Sequence, residues 1–226
     1  MLSGEKIKNI TPLEISRLLK SDFFNLMTLF YETQSSFLKG FYKRYGSLET
    51  ANIMGCFKRN THLKIVRERE KNLNFNLSLN NFLENLEKVD KPHETISSIV
   101  EVTHIPKETV RRKIKNLVKD GHLMQNKIYK GYCWNLSQKH KDSYLEKANN
   151  EIKILCKFAY RFSKHFGINF NIETIENEIK TDFSFYMYHL LNCELEWMHM
   201  WKTKLKDSDL ILIVLQCVMP TLKHAD

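Results

Sequence analysis

The sequence predicts a mainly α-helical protein, with two long-helix regions set on either side of a compact unit of three helices and a β-hairpin. Three observations predict it. The 226 residues hold only seven Gly and four Pro, too few breakers for a many-stranded β fold. Apolar residues recur at helical spacing over long stretches on both sides of the centre. Two short β-prone runs stand close together within 122–137. The length suits one large domain or two to three small ones, and 42% hydrophobic with 27% charged residues excludes wholesale disorder. The expected division is an N-terminal helical region 1–75, a central unit 76–137 and a C-terminal helical region 138–226.

The elements follow in order. Thr11-Pro12-Leu13-Glu14 has the form of a helix start: a Thr cap, Pro at the first helical position, then an acid. From there to Tyr45 only Gly40 interrupts a stripe of Ile15, Leu18, Leu19, Phe23, Met27, Phe30, Tyr31, Phe37, Leu38 and Phe41, so one helix is expected. Gly46-Ser47 ends it and caps a second, 47–70, whose basic end (58–71) is either a phosphate-contacting surface or a solvated helix end. A third helix, 77–89, carries Leu79, Phe82, Leu83 and Leu86.

The unit 92–137 opens on a two-turn helix started by Glu94 and Thr95, with Ile96, Ile99, Val100 and Val102 as its apolar face. After a turn at Ile105-Pro106, a helix over 106–120 places Val110, Ile114, Leu117 and Val118 within an arc of about 100°. Glu108, Thr109, Arg112, Lys115, Asn116 and Lys119 project to the far side, with Arg111 and Lys113 on the flanks. Gly121 ends the helix as a left-handed cap, and a hairpin turning near Asn126-Lys127 follows.

Further helices are expected over 140–166, 172–204 and 208–219. The flanks share a pattern: "ISRLLKSDFFNLM" (15–27) resembles "IENEIKTDFSFYM" (175–187), and "GSLETANIMGC" (46–56) resembles "DSDLILIVLQC" (207–217). This reads as an internal repeat of a long helix, a turn and a shorter helix; chance likeness between amphipathic helices is the alternative.

Charge narrows function. Of the net +9, residues 91–137 carry 9 Lys+Arg against 4 acids, while 138–226 balance at 12 against 12. A basic patch attracts polyanions, nucleic acid or an anionic membrane surface. Five dispersed cysteines without a CxxC argue against a zinc ribbon and fit a reducing compartment. The N-terminus lacks the apolar core of a signal peptide, and "LILIVLQCV" (210–218) is about half the length of a membrane span. A cytoplasmic protein is expected.

Helix, tight turn, helix and hairpin, led in by the 77–89 helix, is the layout of a winged helix-turn-helix. "ISSIVEVTHIPKETVRRKIKNLVKDGHL" resembles that motif in bacterial transcriptional regulators, through Thr103, Ile105-Pro106, Thr109-Val110-Arg111-Arg112, Leu117 and Asp120-Gly121. His104 departs from the pattern, standing where the family commonly has Gly. The resemblance covers 77–137 and implies double-stranded DNA as the partner, with 106–120 in the major groove and 123–136 as the wing. Arg112 is the candidate for a bidentate contact to guanine, and Thr109 and Asn116 follow. Lys107, Arg111, Lys113, Lys115, Lys119, Lys127 and Lys130 are phosphate candidates, with Ser97 and Ser98 from the preceding helix. A homodimer is expected, because one such motif reads only a few base pairs.

Other classes are weaker. A winged unit can also dock a protein or contact RNA. The aromatic stretch 183–201, with Phe183, Phe185, Tyr186, Tyr188, Trp197 and Trp201, could line a pocket for a small apolar effector, or simply form core. His189, Cys193 and Glu196 have a metal-like spacing but read as packed side chains. No glycine-rich phosphate loop, GxSxG or HExxH occurs, so neither an enzyme nor a cofactor is expected.

Overall fold

The structure is a computed structural model and describes residues 10–126, 128 and 130–224. Twelve elements follow one another among them: α1 (Pro12–Ser21), α2 (Phe23–Tyr45), α3 (Leu48–Lys71), α4 (Phe82–Lys88), α5 (Ile96–Thr103), α6 (Lys107–Lys119), β1 (Leu123–Asn126), β2 (Gly131–Trp134), α7 (Gln138–Lys164), α8 (Ile172–Thr181), α9 (Phe183–Lys202) and α10 (Leu210–Lys223). The mainly helical class with one small antiparallel sheet is as the sequence predicts.

Side-chain caps set several helix starts. Thr11 and Glu14 close a reciprocal capping box at α1, Ser47 accepts from the Thr50 amide at α3, and Thr95 forms a box with Ser98 at α5. Each satisfies amides that a helix start leaves without partners.

Two helices expected to run unbroken do not. The 12–45 helix breaks at Asp22, and the 172–204 helix breaks at Asp182. The two aspartates adopt similar backbones, φ −132° and ψ 48° against φ −107° and ψ 41°. Side chains hold the first break: Asp22 accepts from Asn25 (2.8 Å) and lies 2.9 Å from His165 Nδ1. Backbone holds the second, where the Leu79 amide donates to Lys180 O (2.9 Å) and the Ser184 amide to Leu77 O (3.2 Å). That pairing keeps residues 77–81 out of helix, so α4 starts at Phe82 rather than at 77.

Both breaks fall inside the repeated sequence, and the packing follows the repeat. α3 lies along α9, and α10 lies along α2, the exchange that a pseudo-twofold arrangement of α1–α3 and α8–α10 requires. The starts of α3 and α10 meet, with the Leu48 amide donating to Asp209 Oδ1 at 2.7 Å. Gly55 lets α3 approach α9 closely; a Cβ there would lie 3.3 Å from Leu195 Cδ2.

The three expected regions share one apolar core. Ile53, Phe57 and Ile65 of α3 pack with Phe82, Ile99, Ile105, Val110, Ile114, Leu117, Leu123 and Trp134 of the central unit, and with Tyr144, Ile152 and Phe183 of the C-terminal part. A second cluster, Leu38, Leu48, Met198, Ile211 and Leu215, sits between α2, α9 and α10 beside Trp197 and Trp201. The residues of 183–201 are thus split: Phe183 lies in the main core, Trp197 and Trp201 flank the second, and Phe185 is exposed. The pocket bordered by Leu191, Glu194, Leu195 and Met198 holds about 30 Å³, room for a water rather than the apolar effector that the stretch suggested. No helix among the described residues is long and apolar enough to cross a membrane.

Candidate nucleic-acid interface

The central unit is held on several sides, and those contacts decide which face of α6 stays open. Val110, Ile114 and Leu117 are buried in the main core. Glu94, ahead of α5, pairs with Tyr132 of β2 through both backbone bonds (2.7 and 2.8 Å), and its carboxylate accepts from Asn60 of α3 and from Ser98. His104 fixes the turn. It takes the left-handed conformation, φ 52° and ψ 22°, that glycine favours, and its ring lies 4.4 Å from that of His199 on α9. A left-handed turn thus forms here without a glycine, and His104 adds a contact to the helical body.

Gly121 ends α6 as expected, at φ 76°, with its amide donating to Val118 O and the His122 amide to Leu117 O. A Cβ on Gly121 would lie 3.1 Å from Ser137 Oγ, so a side chain there would crowd Ser137 as well as strain the backbone. The hairpin then pairs Leu123 with Trp134 and Asn126 with Gly131. Pro106 stands at the N-cap of α6, one position earlier than expected, and no side chain caps that helix.

At roughly 100° per residue the burial of Val110, Ile114 and Leu117 sends Arg112, Lys115 and Lys119 directly outward. All three are exposed, as are Lys107, Arg111 and Asn116. Arg111 pairs with Glu108, the only acid of α6, at 3.0 Å. Thr109 is half-buried.

Lys113 behaves differently. Its ammonium donates to Ser47 Oγ (2.8 Å) and Thr50 Oγ1 (3.1 Å) and lies 3.7 Å from Glu49, so it ties α6 to the start of α3. Lys202 of α9 reaches the same Glu49 at 3.0 Å. Lys113 is therefore a poor phosphate contact, committed as it is within the protein.

Of the remaining candidates, Ser97 is exposed, while Ser98 is occupied by its capping box and by Glu94. Lys130 is exposed at the hairpin turn with φ 50°. Lys127 lies outside the described residues. The basic end of α3 is mostly engaged: Lys64 and Lys71 pair with Glu68, and Arg69 donates to Phe75 O.

A crevice of about 390 Å³ runs beside the outward face, between Arg112, Lys113 and Asn116 on one wall and Arg44, Tyr45 and Thr50 on the other. His122 closes one end. Burial lowers its pKa to about 4, and neighbouring His140, Lys58 and Lys147 push the same way. Among the described residues no group of three or more His, Cys, Asp and Glu is placed to hold a metal; His189 instead makes ring contacts with Phe185 and Tyr188.

Compared with known proteins, the chain matches no family model, no curated protein and no solved structure.

Proposed function

We propose that the chain is a sequence-specific DNA-binding regulator of transcription, built on a winged helix-turn-helix, with α6 in the major groove and the β1–β2 hairpin as the wing. One observation carries the reading. α6 is gripped by the core on one side and by α3 on another, yet the face bearing Arg112, Lys115, Asn116 and Lys119 is left open to solvent. The order α4, α5, left-handed turn, α6, hairpin supports it, as does an α6 with six basic residues against one acid.

In this reading Arg112 contacts guanine in a bidentate manner and Asn116 and Thr109 border it, while Lys107, Arg111, Lys115, Lys119 and the wing's Lys130 meet phosphates. Lys113 acts indirectly, by fixing the angle of α6 on the body. Two copies bind two half-sites about one helical turn apart.

Selection of binding sites from random duplex DNA tests this. A recurrent motif is expected, and Arg112→Ala should relax one position of it, lowering discrimination there by about 1–3 kcal/mol. Recovery of no motif, with binding indifferent to Arg112 and Thr109, would leave the open face to a protein partner.

A further inference from the structure

A second group of cations lies inside the molecule, where α2, α3, α7 and the hairpin meet. Lys58 of α3 is only 7% exposed. Its ammonium stands over three aromatic rings, Tyr45 (5.5 Å), Trp134 (5.6 Å) and Tyr144 (5.8 Å). Rings attract a cation but offer its three N–H groups no oxygen or nitrogen acceptor. Among the described residues no carboxylate or other acceptor reaches that nitrogen. Arg44 lies beside it, with Cζ 5.7 Å from the same Tyr45 ring. Glu151 takes one Arg44 nitrogen at 2.8 Å, and the buried Nε has no partner. Lys147 comes from α7 and, among the described residues, donates to Ser143 Oγ alone, at 3.0 Å. His122 and His140 stack face to face across the rim at 4.1 Å.

These groups line a small chamber of about 20 Å³ that is open on one side. It shares Arg44, His122, His140 and Lys147 with an open groove of about 500 Å³, to which Lys43 and Glu146 also belong. The chamber is lined by three permanent cations, Lys58, Arg44 and Lys147, while the carboxylates of Glu146 and Glu151 lie in the groove outside it, Glu151 paired with Arg44. Buried cations are normally paired. Here the donors converge on a space that takes about one water-sized group, with room for a larger body outside it.

We propose that this junction is a binding site for a small molecule carrying a phosphate or carboxylate group, with one anionic oxygen in the chamber against Lys58, Arg44 and Lys147 and the rest of the ligand in the groove. The site stands independently of DNA binding. A chamber of about 20 Å³ beside Lys58, Trp134 and Tyr144 is too small to admit the backbone of a duplex. Arg44 and Tyr45 also wall the crevice beside Arg112 and Asn116, so an occupant touches residues that border the open face of α6.

The test uses the full chain without DNA, titrated with inorganic phosphate and, separately, with citrate, at ionic strength held constant by sodium chloride. One of the two should raise the unfolding temperature saturably and raise the His122 pKa, followed by NMR of its ring, by a unit or more. Comparing the two probes distinguishes a phosphate site from a carboxylate site. Lys58→Met keeps the bulk among the rings and should weaken that binding at least tenfold, and Lys147→Gln severalfold. Lys147 is half-exposed, so its variant decides the matter if Lys58→Met does not fold. Stabilisation no greater than chloride gives, or unchanged affinity in the variant that folds, would overturn the site.

Discussion

The face of α6 and the junction below it hold comparable numbers of cations, and the protein treats them in opposite ways. Arg112, Lys115 and Lys119 stand in water, where staying charged costs little and mutual repulsion is screened. Lys58 and Arg44 have lost most of their water. Of these two, Arg44 has a carboxylate partner, and Lys58 has three rings. A solvated cluster suits a large polyanion that arrives and leaves with its counterions, whereas a desolvated one suits a small anion that fills a fixed space. The contrast teaches that the basic composition of this chain is two separate features.

Trp134 belongs to both regions, because it anchors β2 in the core and roofs Lys58. Trp134→Ala should therefore break the comparison altogether, costing about 3–5 kcal/mol of stability in denaturant melts. A loss below about 1 kcal/mol would mean that the hairpin is not part of the shared core.

Acid should also act from the interior. His62, fully buried among Phe82, Trp134 and Phe183, is lowered to about 3 by burial and by Lys58, and His122 is lowered to about 4. Between those values and 6.5 the unfolded chain binds more protons than the folded one, so stability falls as pH drops through that window. Glu194 works the other way. Burial raises it to about 7 despite a 2.8 Å hydrogen bond from Gln34, so its contribution fades as pH rises from 4.5 to 7. His62→Leu isolates the first effect and should flatten the acid limb of the stability curve, by a few kcal/mol at pH 4. An unchanged limb would show that His62 is not buried neutral.

Smaller effects separate the two groups further. Lys58→Met should change stability by no more than about 1 kcal/mol, because lost ring attraction is offset by the removed cost of a buried charge. Arg112→Ala and Lys119→Ala should move it by less than about 0.5 kcal/mol, since neither side chain is buried. A large loss in either would place that residue in the fold rather than at an interface.

The legible parts of the fold were those that local chemistry dictates. Thr11, Ser47, Thr95 and Gly121 announce helix ends by residue type, and the stripe Val110, Ile114, Leu117 fixes which side of α6 faces inward. The breaks at Asp22 and Asp182 escaped because the apolar stripe continues across each of them. Their signal was the repeated Lys-Ser/Thr-Asp-Phe, legible only once the two flanks are aligned. The open face of α6 followed from periodicity, but the commitment of Lys113 did not, since Ser47 and Thr50 lie more than 60 residues away.

The junction was the least legible, because Arg44, Lys58, His122 and Lys147 come from four separate parts of the chain. Lys58 also reads naturally as part of a solvated basic run. Its one clue is position: Met54, Lys58, Thr61, His62 and Ile65 fall on a single buried stripe of α3.

Contact between DNA and the outward cations of α6 and the hairpin would register in the salt dependence of affinity for a selected duplex. Lys107, Arg111, Lys115, Lys119 and Lys130 are five phosphate contacts per copy if Arg112 reads a base, which corresponds to a slope of log K against log salt of about −4 to −5 for each copy bound. The expected slope lies in that range, smaller by about 1 in Lys119→Ala and unchanged in Lys58→Met. A slope near zero, or one that falls with Lys58→Met and not with Lys119→Ala, would contradict that contact.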